Sequence, residues 1–225
     1  SAVGSTGSRN LALATPVLIG MYRGEYDRSA ARLGPVISPR TTIPRIDNLD
    51  ARELLRARLA LATGDLVQAE REIVPLYEIL IRVPDIMTTV PQKIRGFVLM
   101  IELRLRQDRL SDAERHLGEL EQLTQALAEK WSSSTLAHAR GMIEARRGNL
   151  TAAAKHFLES AKGWKELGYP YESAVSLYEL GVTSQSADDP ASAAAAFNEA
   201  LEIFQRLEAR PYVDRILAAK AARVS

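Results

Sequence analysis

A ten-residue pattern of polar, small and large apolar positions recurs five times along the chain. Its copies begin at Gly24, Gly64, Asp108, Gly148 and Asp188, so successive copies are 40, 44, 40 and 40 residues apart. The first position is always Gly or Asp, which suits a tight turn between helices. The sixth position is small, the tenth is large and apolar, and residues four apart share one stripe of a helix. The pattern therefore predicts a helix after each of five turns.

A second amphipathic segment precedes each turn, as in QKIRGFVLMIELRLRQ and YESAVSLYELGVTSQ. The predicted unit is thus a helix hairpin, and because one hairpin cannot bury both faces alone, the units are expected to stack into a continuous core. The 44-residue step contains VPDIMTTVP, where Pro84 and Pro91 break the helical pattern and hold the extra residues in a loop. Pro91 and Pro170 are expected in the first turns of helices, and Ser132 to Ser134 are expected to supply an N-cap.

The domain organisation follows from these signals. Residues 1–9 are predicted to be a linker or expression remnant, because their Gly/Ser-rich sequence has no apolar period. The hairpins are predicted at about 10–40, 47–83, 91–130, 132–168 and 170–209. A capping helix is predicted at 211–224, with a polar solvent face formed by Asp214, Arg215, Lys220 and Arg223.

The last hairpin resembles the tetratricopeptide repeat (TPR) family. The residues at the characteristic offsets of that family are Leu180, Gly181, Ala193, Phe197, Ala200 and Leu201. The resemblance extends over about Asn10 to Ser225, although these repeats are longer than the minimal one and lack its early bulky aromatic residue. It implies an all-α, right-handed α-solenoid of about five hairpins with a C-terminal capping helix. It also implies a non-catalytic domain that binds other proteins.

Two stretches carry a narrower resemblance. WKELGYPYESAVSLYELG and ALEIFQRLEARPYVDRI are similar to the C-terminal repeats of bacterial signal-transduction ATPases that end in a LuxR-type helix-turn-helix. This similarity implies that the chain is the partner- or effector-sensing arm of a bacterial transcriptional regulator. It also implies a fragment of such a protein, because the sequence contains no GxxxxGK[ST] loop. The alternatives are a stand-alone scaffold or adaptor protein, and a TPR region attached to an adenylate cyclase.

Composition narrows the classes of partner. The chain has 29 basic and 28 acidic side chains, so it lacks the basic surplus that nucleic acids and anionic lipids usually require. No stretch reaches the roughly 18 consecutive apolar residues of a membrane span. We therefore expect a cytoplasmic protein with no direct nucleic-acid or membrane partner. The absence of Cys excludes disulfides, thiolate nucleophiles and the usual structural zinc sites.

Candidate chemistry is sparse. His156 and Glu159 have a spacing that a metal site could use, but one His and one Glu without further ligands are more typical of a solvated helix face. No nucleophile and base can be paired, so the chain is predicted to have no catalytic activity, metal or cofactor. Trp131 and Trp164 are interpreted as packing between hairpins, with a place in a binding groove as the alternative.

The candidate partner site is the concave face, which the first helix of each hairpin lines in the TPR family. The register of the turns places these residues there: Met21, Tyr22, Arg58, Glu102, Arg106, His138, Met142, Arg146, Tyr178 and Gln185.

Arg58, Arg106 and Arg146 recur at similar places in their hairpins and offer forked donors to carboxylate or phosphate groups. The Tyr and Met side chains of the set add adaptable apolar contacts. The alternative interpretation is that the arginines pair with neighbouring acids such as Glu102 and Glu144. A chaperone-adaptor role is disfavoured, because the Lys and Asn arrangement that clamps a peptide C-terminus in that branch of the family is missing.

The expected partner is a protein or peptide in the concave groove, a neighbouring domain of the same chain, or a small effector. A homodimer is a further prediction, because the imperfect first hairpin leaves an apolar N-terminal end at Leu11, Leu13, Val17 and Leu18.

Overall fold

The computed structural model describes residues 15–34, 51–85, 89–125, 127 and 129–221, and every regular element in these ranges is an α-helix. The predictions for the linker at 1–9, for Leu11 and Leu13, and for Arg223 lie outside the described residues. The chain divides into two compact units, Ser1–Asp108 and Arg109–Ser225.

The first unit contains helical residues 15–22 (α1) followed by four further helices. These are α2 (Tyr26–Leu33), α3 (Ala51–Thr63), α4 (Leu66–Leu80) and α5 (Val90–Arg106). The second unit contains α6 (Leu110–Gln125), α7 (Lys130–Arg147), α8 (Leu150–Glu166), α9 (Pro170–Ser186), α10 (Pro190–Arg206) and α11 (Arg210–Ala221).

Consecutive helices pack against one another within each unit. In the first unit, α3 packs on α4, which packs on α5, around a core that includes Leu61, Ile73 and Leu103. In the second, α8 packs against both α7 and α9, and α9 against α10. This arrangement confirms the all-α solenoid of helix hairpins, because each hairpin buries its remaining apolar face on its neighbour.

The small and large positions of the repeated pattern lie where the hairpins need them. The small residue is 1% exposed at Ser29 and fully buried in the other four copies, namely Ala69, Ala113, Ala153 and Ala193. The large residue is at most 3% exposed in four copies, namely Leu33, Ile73, Phe157 and Phe197. In α6 the pattern fails, because Leu117 is only partly buried and His116 takes the buried position beside it.

The first position of the pattern adopts a left-handed backbone conformation in all five copies. The φ angle is 79° at Gly24, 81° at Gly64, 59° at Asp108, 80° at Gly148 and 55° at Asp188. Glycine has no Cβ to clash in this region, and Asp is one of the few other residues that tolerate it. The alternation of Gly and Asp therefore reflects a backbone requirement.

Replacing Gly148 by alanine is expected to lower the free energy of unfolding by about 1–2 kcal/mol, the usual cost of a left-handed L-residue. A Cβ there would meet no other atom within 4 Å, so the cost is confined to the backbone. Asp188→Gly, at the equivalent turn, is the matched reverse change and is expected to leave stability unchanged or to raise it. Urea denaturation of both variants checks this, and a stabilising Gly148→Ala would contradict it.

Two boundary predictions have different outcomes. Pro91 and Pro170 lie in the first turns of α5 and α9, as predicted. The N-cap predicted at Ser132 to Ser134 is wrong, because α7 already begins at Lys130 and these serines lie within its first two turns. Their hydroxyls instead donate to the carbonyl oxygens of Glu129 and Lys130.

The loop before α5 is attached to that helix by a buried lysine. Lys93 is 6% exposed, and its Nζ donates to the Val83 carbonyl and the Asp85 carboxylate, each at 2.5 Å. The Thr89 hydroxyl donates to the Pro84 carbonyl at 2.7 Å. These bonds satisfy backbone groups of the longer connection that the 44-residue step predicted.

Candidate partner-binding face

Helices α7, α9 and α11 of the second unit carry several half-buried side chains and an exposed arginine that are candidates for binding a partner. We call this set the first-helix face of the second unit, and it comprises His138, Met142, Tyr178, Gln185, Tyr212 and Arg215. Four of its six members were predicted from the sequence. Contacts join α7 to α9 at His138, and α9 to α11 at Tyr178.

Helices α7 and α9 are joined by a chain of hydrogen bonds that begins at His138. The imidazole Nδ1 lies 3.0 Å from Ser176 Oγ, and the Ser176 and Ser160 hydroxyls are also 3.0 Å apart. Ser160 Oγ donates to the Ser134 carbonyl at 2.9 Å. The edge of the imidazole packs against Phe157, with ring centroids 5.4 Å apart. We call the Ser176 and Ser160 hydroxyls and the Ser134 carbonyl the hydroxyl ladder.

Helices α9 and α11 are joined by aromatic contacts. The Tyr178 ring lies 5.3 Å from that of Tyr212 in an edge-to-face arrangement, and 6.1 Å from that of Phe197. Tyr212 stacks on buried Phe204 at 4.5 Å, and the Arg215 guanidinium lies 5.1 Å from the centre of the Tyr212 ring. Such a cluster places two phenols and a cation at defined positions.

Burial raises the pKa of Tyr178 above the ordinary value of a tyrosine. The negative charge of Glu179 raises this pKa further, whereas the positive charge of Arg215 opposes the shift. The phenol therefore keeps its proton at neutral pH and presents a hydroxyl group that can both donate and accept a hydrogen bond.

The predicted arginines have different surroundings. In the first unit, Arg106 pairs with Glu102 at 2.6 Å and also donates to the Leu61 carbonyl. Arg58 is exposed on α3. For Arg106, the structure thus agrees with the alternative of pairing with a neighbouring acid.

In the second unit, Arg146 is exposed near the end of α7. Glu144, the acid suggested as its partner, instead contacts Arg147 at 2.5 Å and accepts a hydrogen bond from Asn149 at 2.6 Å. The Asn149 hydrogen bond, followed by the contacts with Arg147, lowers the pKa of the Glu144 carboxyl. Glu144 is therefore ionised at neutral pH.

The remaining predicted residues of the first unit lie on α1. Tyr22 is half-buried. Met21 is only 6% exposed and packs in a core cluster with Val17, Leu33 and Leu55. Because Met21 is buried, it is not part of the surface that we propose for a partner. Val17, one of the residues of the predicted apolar N-terminal end, is buried in the same cluster.

Sequence reasoning missed Tyr212 and Ser176. Tyr212 corresponds in the 40-residue register to Glu172 and Ser132, so the repeat gives no aromatic signal at that position. Ser176 was not selected because a serine within a helix is usually a neutral surface residue. Arg215 was expected on the solvent face of the last helix, and it is exposed there together with Asp214 and Lys220.

Other candidate chemistry lies away from this face. His156 Nδ1 is 3.3 Å from the Glu159 carboxylate on α8, and within the described ranges no group of three or more His, Asp or Glu residues could hold a metal ion. Trp164 is half-buried and packs its edge on Tyr169 at 5.5 Å, while Trp131 donates its indole hydrogen to Glu129.

A surface depression of about 320 Å³ near α10 is lined partly by Lys165 and Glu199, which pair with each other at 2.8 Å.

Comparison with known proteins supports the repeat family over part of the chain. The tetratricopeptide repeat family model matches residues 132–206, which comprise most of α7 and all of α8, α9 and α10. This match supports a tetratricopeptide repeat family, whose domains generally bind other proteins and are generally not catalytic.

A solved structure has a similar fold over nearly the whole chain. The crystal structure of BtubC (BKLC) from P. vanneervenii aligns with a TM-score of 0.54, covering 98% of this chain and 93% of that one. Sequence identity is 16%, so the similarity concerns the fold alone. No curated protein matches the chain. Among the described helices, none is both long enough and apolar enough to cross a lipid bilayer.

Proposed function

We propose that this chain is a non-catalytic protein-interaction module, and that it holds a peptide or helical segment of a partner on the first-helix face of the second unit. The observation that carries the proposal is that α9 contacts both α7 and α11, through Ser176 with His138 on α7 and through Tyr178 with Tyr212 on α11. A surface fixed in this way is already organised before binding, so little conformational entropy is lost when a partner docks.

The chemistry of the face suits a polypeptide. Tyr178 and Tyr212 combine apolar rings with polar hydroxyl groups, and aromatic residues of this kind dominate the energetics of protein interfaces. Met142 adds a flexible apolar side chain that adapts to irregular partner surfaces. Arg215 is exposed and adds a guanidinium group, which can bind a carboxylate in a forked geometry.

A selection from a phage-displayed random peptide library on the full chain tests the proposal. We expect peptides whose affinity falls at least tenfold, about 1.4 kcal/mol, in the Met142→Ala, Arg215→Ala double variant. Calorimetric titration measures the affinity, and circular dichroism checks that helicity is retained. Tyr169→Ala removes an aromatic ring that is 51% exposed at a turn outside the face, and it serves as the matched control.

The contradicting outcome is equally specific. Peptides that bind the double variant and the parent chain equally, but lose affinity for the Tyr169→Ala control, would place the binding surface elsewhere. A further variant, Arg58→Ala with Arg106→Ala, tests whether the arginines of the first unit contribute carboxylate or phosphate contacts of their own.

For the biological setting, we propose the cytoplasmic, partner- or effector-sensing arm of a bacterial transcriptional regulator. The support is the similarity of WKELGYPYESAVSLYELG and ALEIFQRLEARPYVDRI to the repeat regions of such proteins. A stand-alone scaffold, which could include a homodimer, and a region attached to an adenylate cyclase are the alternatives.

Reading the parent gene on both sides of this segment, and measuring the native polypeptide by immunoblot, separates these settings. A nucleotide-binding domain before the segment and a helix-turn-helix after it would support the regulator. A native product of this length alone would support the scaffold, and a cyclase domain would support the third setting.

A further inference from the structure

Two ion pairs join α6 to α7 within the second unit. Arg140 donates to the Glu121 carboxylate at 2.8 Å, and Arg147 donates to the Glu114 carboxylate at 2.9 Å. Both acids lie on α6 and both arginines lie on α7, so each pair connects two different helices. The four side chains are 33–41% exposed, so both pairs lie where dissolved ions can reach them.

The spacing of these charges is the same on the two helices. The two acids are seven residues apart on α6, and the two arginines are seven residues apart on α7. Seven residues make close to two helical turns, so each helix carries both of its charges on one side. Glu114, nearer the start of α6, pairs with Arg147, at the end of α7, as an antiparallel alignment requires. In coiled coils, charges at matching positions of this kind set the alignment of two helices.

Glu144 lies between the two arginines of α7, four residues after Arg140 and three before Arg147, and therefore on the same side of the helix. If α6 slipped by about one turn in one direction, Glu114 would come opposite Glu144. A slip in the other direction would bring Glu121 there instead. Hydrogen bonding lowers the pKa of the Glu144 carboxyl, so each slip would replace an ion pair by two like charges.

Apolar packing specifies this alignment less strongly. Helix α6 packs less extensively on α7 than α8 does. Only one of the buried residues of α6 is large and apolar, and the set comprises Ala113, His116, Leu120 and Thr124. With few large side chains to interlock, apolar packing alone does not select one alignment, and charged pairs are a usual means of doing so.

We propose that α6 is docked on α7 by this charge pattern, in which the two ion pairs select one antiparallel alignment and Glu144 disfavours its neighbours, so that salt weakens the attachment. The screening distance falls from about 10 Å at 0.1 M salt to about 3 Å at 1 M. The attachment of α9 differs, because the hydroxyl ladder is neutral and buried. The joint before α7 is therefore the place in the second unit where ionic conditions act.

Hydrogen exchange of the full chain, measured by mass spectrometry at about 0.1 M and about 1 M NaCl, tests the attachment. A helix of 16 residues is marginal by itself, so amides of α6 exchange when it detaches. We expect these amides to exchange about three to ten times faster at high salt, as two exposed ion pairs imply. Amides of α9 serve as the internal reference. Equal acceleration in α6 and α9, or none in α6, would overturn the proposal.

Charge reversal tests the pattern itself. Glu114→Lys with Glu121→Lys places like charges against both arginines, and it is expected to speed exchange in α6 at least tenfold at low salt. Adding Arg140→Glu, Arg147→Glu and Glu144→Lys reverses every charge of the pattern and is expected to bring the rate back to within about threefold of the parent chain. Equal recovery when Glu144 is left unchanged would overturn its role in the alignment.

Glu159→Lys with Glu202→Lys is the matched control, because it makes the same change of net charge on α8 and α10. Glu159 pairs only within its own helix, and Glu202 has no ion pair in the part of the chain that the structure describes. Exchange in α6 is expected to stay within about twofold of the parent rate. A folded Glu114→Lys, Glu121→Lys variant that matched this control would overturn the proposal, and if that variant did not fold, the salt dependence of the parent chain would still decide.

Discussion

Replacing Phe204 with alanine is expected to lower the free energy of unfolding by about 3–5 kcal/mol, the usual cost of removing a buried phenylalanine ring. Phe204 is fully buried, stacks on Tyr212 at 4.5 Å and contacts the edge of Tyr171 at 5.9 Å. Since Tyr212 belongs to α11, the cavity would also weaken the attachment of the last helix. Chemical denaturation and near-ultraviolet circular dichroism measure the two effects.

Leu217→Ala is the matched control for this prediction. Leu217 also lies on the last helix but is 50% exposed, so its truncation is expected to change stability by no more than about 0.5 kcal/mol. If both variants lost the same stability, the ring of Phe204 would not be the group that holds α11 in place.

Gly181→Ala is expected to lower the free energy of unfolding by about 1–3 kcal/mol. A Cβ at this position would lie 2.6 Å from ring atoms of Phe197, too close for the two groups to coexist without movement. Alanine is favoured over glycine within a helix by about 1 kcal/mol. A net loss of stability would therefore show that the clash with Phe197 outweighs this helix preference. Thermal and urea denaturation measure the difference.

Gly118→Ala provides the comparison within the same chain. Gly118 lies inside α6, and an added Cβ would meet no atom within 4 Å, so only the helix preference remains. We expect this variant to gain up to about 1 kcal/mol. Combining Gly181→Ala with Phe197→Leu is expected to recover part of the stability that Gly181→Ala loses. If Gly181→Ala and Gly118→Ala stabilised the protein equally, the close approach of Gly181 to Phe197 would not be what disfavours a Cβ at position 181.

The sequence predicted the hairpins well because each depends on local rules. A left-handed turn needs Gly or a tolerant residue, and a close helix crossing needs a small side chain, so both leave a mark at fixed spacing. The N-cap prediction at Ser132 failed because serine also occurs inside a helix, where its hydroxyl donates to a preceding carbonyl. The local pattern of residues does not separate these two uses of serine.

The candidate face was predictable only in part. The pairing of Arg106 with Glu102 follows from their spacing of four within one helix. His138 and Ser176 lie on different hairpins, and their contact depends on how α9 stacks beside α7. The packing of Tyr212 on Phe204 likewise depends on the position of the last helix relative to α10. Such contacts arise from tertiary packing, which periodicity does not specify.

The attachment of the loop by Lys93 bears on how repeat arrays of this kind can change in length. The connection before α5 interrupts a regular spacing, yet its Val83 carbonyl is satisfied by a side chain from the helix that follows. An insertion between hairpins can thus be accommodated when one long cationic side chain satisfies a carbonyl group of the connection. Repeat number and loop length could then evolve independently, with the stacked hairpins preserved while the connections between them diversify.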